Sequence, residues 1–106
     1  MSQCSTRIEG DTAVVALGGE VDLSWSSQVR REVLDALTRA PRVAVDLSAV
    51  SYIDSSGIAA LVEGFQNARG KGQPFELVSV SAPVLAVLKL ARLDQVFQIR
   101  DAQEAG

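Results

Sequence analysis

Asp54-Ser55-Ser56-Gly57 is the one short stretch of this chain in which residue type and spacing suggest chemistry. An apolar run, Val43-Ala44-Val45 and Leu47, precedes it across the polar segment from Ser48 to Tyr52, and from Ile58 the apolar residues change period. Ile58, Leu61, Val62, Phe65 and Ala68 recur at helical spacing. The motif therefore sits where a helix begins. There, side-chain oxygens can accept from first-turn amides, and the positive end of the helix dipole favours an anion, including a phosphate placed on a serine. Added phosphate would carry about −1.5 to −2 charge.

Serine nucleophiles elsewhere rely on a histidine, and this chain has none. A Ser-His-Asp or Cys-His site is thereby excluded, as is histidine-bound metal. A Ser-Lys pair would have to use Lys71 or Lys89, and both lie in segments that read as exposed. The expectation is no intrinsic enzyme, no cofactor and no metal. Cys4 is the single cysteine, which rules out an internal disulfide and suits a reducing compartment. Gly70-Lys71-Gly72 lacks the following Ser or Thr and the upstream glycine of a phosphate loop, so it reads as a turn.

The elements that must position Asp54 to Gly57 follow from the chain in order. Gly10-Asp11 reads as a hairpin turn between weakly patterned residues 5 to 9 and the run Ala13 to Leu17, with Gly18-Gly19 ending the second strand. Trp25, Val29, Val33, Leu34 and Leu37 mark the apolar face of a first helix, capped by Asp22 or Ser24 and stopped by Pro41. A strand at 42 to 47 leads through a polar loop to the second helix, which should end at Gly70 or Gly72. Phe75 to Val80 reads as a strand, and Ser81 as the cap of a third helix with Pro83 in its first turn. Val84, Leu85, Val87, Leu88 and Ala91 face the core. Leu93, Val96, Phe97 and Ile99 form a last edge strand before the polar tail from Asp101.

This order predicts an α/β fold: a mixed central sheet with an N-terminal antiparallel hairpin, later parallel strands and alternating helices. Ligand and partner surfaces in such sheets lie beyond the carboxyl ends of the strands, where Asp54 to Gly57 falls. The 106 residues, 47% hydrophobic and 22% charged, suit one domain. A net charge of −3 argues against direct binding of nucleic acid, and Arg30-Arg31 is the single adjacent basic pair. Met1 to Thr12 lacks the pattern of a signal peptide, and no run approaches a membrane span, so the expectation is a cytoplasmic protein without membrane insertion.

The segment Asp46 to Ile58, preceded by Gly19-Glu20-Val21-Asp22, resembles the STAS domain of bacterial anti-sigma factor antagonists. Leu88 to Phe97 is similar to that family as well, and the resemblance spans about residues 5 to 100. It implies the STAS fold and partner switching. An unphosphorylated antagonist binds an anti-sigma factor that is also a serine kinase; phosphorylation breaks the complex, and a phosphatase reverses it. By the match Ser55 is the acceptor, Asp22 and Asp54 shape the docking surface, and Ser56 and Gly57 adjoin it. Ala59 stands where many antagonists carry a second glycine. The Gly57-Ile58-Ala59-Ala60-Leu61 run is also similar to the STAS subunits of bacterial lipid-asymmetry ABC transporters, which implies a transporter ATPase as the alternative partner.

Overall fold

The Gly10-Asp11 turn joins β1 (Gln3–Glu9) to β2 (Thr12–Val21) in an antiparallel hairpin, with Gly10 at φ 62° in the left-handed region that glycine tolerates. In this computed structural model, which describes residues 2–100, the chain continues through α1 (Leu23–Arg39), β3 (Arg42–Ile53) and α2 (Ser55–Gly70). β4 (Phe75–Val78), α3 (Ala82–Leu90), a 3-10 turn at Leu93–Gln95 and β5 (Gln98–Arg100) complete it. The sheet order is β1-β2-β3-β4-β5, antiparallel at the first pair and parallel thereafter. The predicted mixed sheet with alternating helices is the observed one.

Two of the boundaries that differ from those read in the sequence concern the approach to the motif. β2 does not end at Gly18-Gly19 but runs on to Val21, and β3 continues through the supposed polar loop to Ile53. The β2–β3 register shifts between Ala16 and Gly18 and again between Gly19 and Glu20, each time with an extra residue on β3. Gly19 sits at φ 76°, and the Asp46 carboxylate accepts the Ser48 amide at 2.9 Å. Each bulge resets the side-chain alternation, so Leu47, Val50 and Ile53 face inward at a spacing of three. A strand with that period does not look like a strand in sequence.

β4 stops at Val78 rather than Val80, because Ser79 turns into the left-handed region at φ 53°. Beyond Asp46, β3 therefore has no strand partner on that side among the described residues, and α3 packs along it instead. Ser81 stands at the start of α3 as predicted, yet its hydroxyl does not cap the helix; it donates to the Val50 carbonyl at 2.7 Å. The edge of β3 leaves that carbonyl without a ladder partner, and the serine supplies one. The last apolar segment divides, with Leu93 in the 3-10 turn and β5 confined to Gln98–Arg100. The tail from Asp101 lies outside the described residues.

Ala13, Val15 and Leu17 of β2, Val43, Val45 and Leu47 of β3, and Leu77 of β4 line one face of the sheet. Val29, Val33 and Leu37 of α1, Ile58 and Leu61 of α2, and Val84 and Leu88 of α3 pack there in one cluster. Phe65, Phe75 and Phe97 close its far end, the Phe65 and Phe97 rings meeting edge to face at 5.5 Å. Of the residues predicted for the helix faces, Trp25, Leu34, Val62, Phe65, Leu85 and Val87 are half-buried, and Ala91, expected to face the core, is exposed because α3 ends at Leu90; the others are fully buried. Thr12, Val14, Ala44, Asp46 and Val78 occupy the opposite face, where no helix among the described residues lies. No helix among the described residues is long and apolar enough to cross a membrane.

Candidate functional site

Parallel pairing carries β2 and β3 to a common end, with Val21 beside Ile53, so the next residues, Asp22 and Asp54, stand next to each other. The Asp54 amide donates to the Val21 carbonyl at 3.2 Å. Both aspartates have nearly the same extended backbone, φ −115° and −108°. Each is a helix N-cap. Asp22 Oδ1 accepts the Ser24 amide at 3.0 Å and the Ser24 hydroxyl at 2.6 Å. Asp54 Oδ1 accepts the Ser56 amide at 3.0 Å, the Ser56 hydroxyl at 2.6 Å and the Gly57 amide at 3.1 Å. Two adjacent helices thus begin with the same Asp-x-Ser clamp, which neither spacing nor composition had revealed as a pair.

The donors act on Asp54 electrostatically. The Ser56 hydroxyl above all, then the Gly57 amide, hold its carboxyl below the usual carboxylate range, with the Ser56 and Leu23 amides adding to the effect. Asp54 therefore holds its negative charge more firmly than an unbonded aspartate. A consequence corrects the sequence-based picture of a helix end with amides free to receive phosphate. Ser56 and Gly57 already give theirs to Asp54, and Ile58 gives its own to the Asp54 carbonyl at 3.0 Å.

The motif residues are displayed unequally. Ser55 is exposed at the first position of α2, and its hydroxyl makes no hydrogen bond among the described residues. Ser56 is half-buried with its hydroxyl committed to Asp54. Gly57 lies beneath the surface: a Cβ there would stand 2.8 Å from Ile53 Cγ1, Val21 Cγ1 and the Val21 carbonyl oxygen. Its part in the site is to let α2 settle onto the ends of β2 and β3. Lys71 caps the far end of α2, which at about 1.5 Å per residue removes it from Ser55.

Two residues that sequence reasoning passed over complete the surface. Leu23 occupies in α1 the place that Ser55 holds in α2 and is 76% exposed, and Tyr52, one residue before the end of β3, is 50% exposed. Leu23 lies outside the Trp25, Val29, Val33 series, which was the signal that it faces away from the core. An exposed leucine and tyrosine flanking two aspartates and a free serine hydroxyl form a surface fit for protein docking. Behind them, Arg30 of α1 donates to Glu63 of α2 at 2.6 Å, and this pairing holds the Glu63 carboxyl below its usual range. Among the described residues no group of His, Cys, Asp or Glu could hold a metal ion.

A family model described as Mlab, STAS domain, matches residues 4–100. The chain is similar to the anti-sigma F factor antagonist of Paenibacillus polymyxa, 27% identical over 90 residues that cover 83% of this chain and 77% of the relative. It is also similar to the anti-sigma-B factor antagonist of Bacillus subtilis, 23% identical over 92 residues, with 87% and 84% covered. An anti-sigma-factor antagonist (STAS) domain protein from Planctomyces limnophilus superposes with a TM-score of 0.85 at 28% identity, over 96% of this chain and 93% of that one. With the family model covering nearly every described residue and the mixed sheet matching that of the solved relative, this chain belongs to the STAS domain family.

Proposed function

We propose that this protein is an anti-sigma factor antagonist that acts in the cytoplasm by partner switching, with Ser55 as the phosphorylated residue. One observation carries the choice of serine. Of the hydroxyls beside the two capping aspartates, those of Ser24 and Ser56 are tied to Asp22 and Asp54, whereas that of Ser55 is exposed and unbonded. The kinase transfers the γ-phosphoryl group of ATP to Ser55 Oγ, the hydroxyl proton passes to a base of the kinase, and ADP leaves. Water and a phosphatase restore the hydroxyl and release phosphate. The antagonist itself catalyses nothing.

Charge, more than refolding, is the switch. With the Ser56 and Gly57 amides already bound by Asp54, a phosphate on Ser55 adds about −1.5 to −2 charge beside two carboxylates. A partner that covers Leu23, Tyr52 and Ser55 would have to desolvate that charge, and complexes that bring like charges together lose several kcal/mol by rough expectation. In the free protein the dianion stays in water.

Calorimetric titration against the cognate anti-sigma factor kinase tests the proposal. Ser55→Asp should weaken binding at least about tenfold, roughly 1.4 kcal/mol. Ser55→Ala should bind but resist release by ATP, and Ser56→Ala should still take one phosphate, located by mass spectrometry. Unchanged affinity in a folded Ser55→Asp variant, or phosphate on Ser56, overturns the reading. The second reading is the STAS subunit docked on a transporter ATPase. It draws support from the Mlab description of the family model and from the exposed Ala59. It predicts that both Ser55 variants retain their partner, and copurification of a transporter ATPase from the native cells would decide for it.

A further inference from the structure

β1 is a long edge strand whose two charges, Arg7 and Glu9, pair with each other. It runs for seven residues, Gln-Cys-Ser-Thr-Arg-Ile-Glu, with no proline, no lysine and an unbroken register against β2. Natural edges are normally blunted by such features or by being short. The opposite edge is short, since β5 has three residues, and the free edge of β3 is covered by α3 and Ser81. Among the described residues no strand pairs with the outer side of β1.

The direction of its main-chain groups follows from the hairpin. The Asp11 carbonyl accepts from the Arg42 amide at 3.2 Å, so odd-numbered residues at this end of β2 bond toward β3 and even-numbered ones toward β1. The two-residue turn makes Glu9 and Thr12 a bonded pair, and Arg7 with Val14 and Ser5 with Ala16 follow at intervals of two. Cys4, Thr6 and Ile8 consequently turn their N–H and C=O groups outward.

We propose that β1 pairs antiparallel with β1 of a second copy about a two-fold axis at Thr6, joining the two sheets into one. This is the two-fold register that uses the outward groups of Cys4, Thr6 and Ile8 together, giving about six hydrogen bonds between copies. Side chains agree on both faces. On the helix side Ile8, 45% exposed, comes opposite the half-buried Cys4 of the other copy, and each covers the other. On the open side Arg7 meets Ser5 and Glu9 meets Gln3, with no like charges directly opposed. A register centred on Arg7 would set two guanidinium groups face to face. Above the edge, Glu32 accepts from Thr6, so the two-fold brings the two Glu32 carboxylates toward each other, with Arg31 on each α1 flank to offset them. The antiparallel arrangement places the two Ser55 residues at opposite ends of the dimer, so docking at that site is left open.

Sedimentation equilibrium of the full chain tests the pairing, and thiol cross-linking tests its register. The wild type should form a concentration-dependent dimer, and Ile8→Lys, a charge set on an exposed edge position, should weaken it at least tenfold while the circular dichroism spectrum stays native. In a Cys4→Ser background, Ser5→Cys and Arg7→Cys should each fail to cross-link alone, but a mixture of the two should give a covalent dimer under mild oxidation. Residues 5 and 7 of opposite copies form a non-bonded pair about 4.5 Å apart between Cα atoms, within disulfide reach. A protein monomeric at millimolar concentration, a dimer indifferent to Ile8→Lys, or cross-linking by either cysteine variant alone would overturn the proposal. None of these outcomes bears on Ser55.

Discussion

At the scale of single residues, the site depends on a division of labour between two adjacent serines that sequence alone cannot assign. Asp54, Ser55 and Ser56 could each have capped the helix by type, and the backbone decides: Asp54 is extended and accepts, Ser55 is the first helical residue and points out, and Ser56 donates to Asp54. The depressed Asp54 carboxyl gives a direct check. Its first cause is the Ser56 hydroxyl, so Ser56→Ala should raise the Asp54 titration toward the ordinary carboxylate range, as followed by carboxyl carbon chemical shifts. The sign for stability follows. A carboxyl lowered in the folded state contributes stability above its unfolded value, near 4, and loses it as pH falls through the folded value. Both proteins should therefore begin to lose this contribution near pH 4, and Ser56→Ala, with less of it to lose, should show the smaller fall in unfolding free energy between neutral and low pH.

At the scale of elements, α2 is held against the sheet by glycines where a larger residue would collide. Gly57 has no room for a Cβ, whereas nothing lies within 4 Å of one built on Gly70 at the last residue of the helix. Gly57→Ala should cost about 1–3 kcal/mol through overpacking against Val21 and Ile53, more than its helix propensity returns. Gly70→Ala should leave stability unchanged or raise it by up to about 1 kcal/mol. Urea unfolding of both variants makes the comparison. The elements themselves were mostly legible: the turn at Gly10-Asp11, the α1 stop before Pro41 and the end of α2 just before Gly72, which takes the left-handed conformation, all follow residue chemistry that acts locally. What escaped was the far half of β3. Bulges against β2 convert its inward spacing from two to three, and only the partner strand makes a bulge.

For the whole molecule, stability rests on the apolar cluster rather than on charge. Every ion pair among the described residues is exposed on at least one side, and no polar side chain is fully buried. Unfolding free energy should thus change by less than about 1 kcal/mol between low salt and about 0.5 M NaCl. Leu47→Ala should by contrast cost about 2–5 kcal/mol, since that side chain is fully enclosed at the point where β3 passes under the helices. Both are read from urea curves at equal protein concentration.

The amino-acid sequence by itself determined the type and order of the elements and the position of Asp54 to Gly57 at a helix start, because apolar period, glycine and proline chemistry and caps are local properties. It also removed histidine-based chemistry outright, since a missing residue type needs no structure. Only the tertiary structure decided that Asp22 and Asp54 stand side by side as matching caps, with Leu23 and Tyr52 flanking the free Ser55 hydroxyl. The physical reason is that these residues lie some thirty positions apart in the chain and meet only through the parallel pairing of β2 with β3, whose bulged register no local pattern encodes.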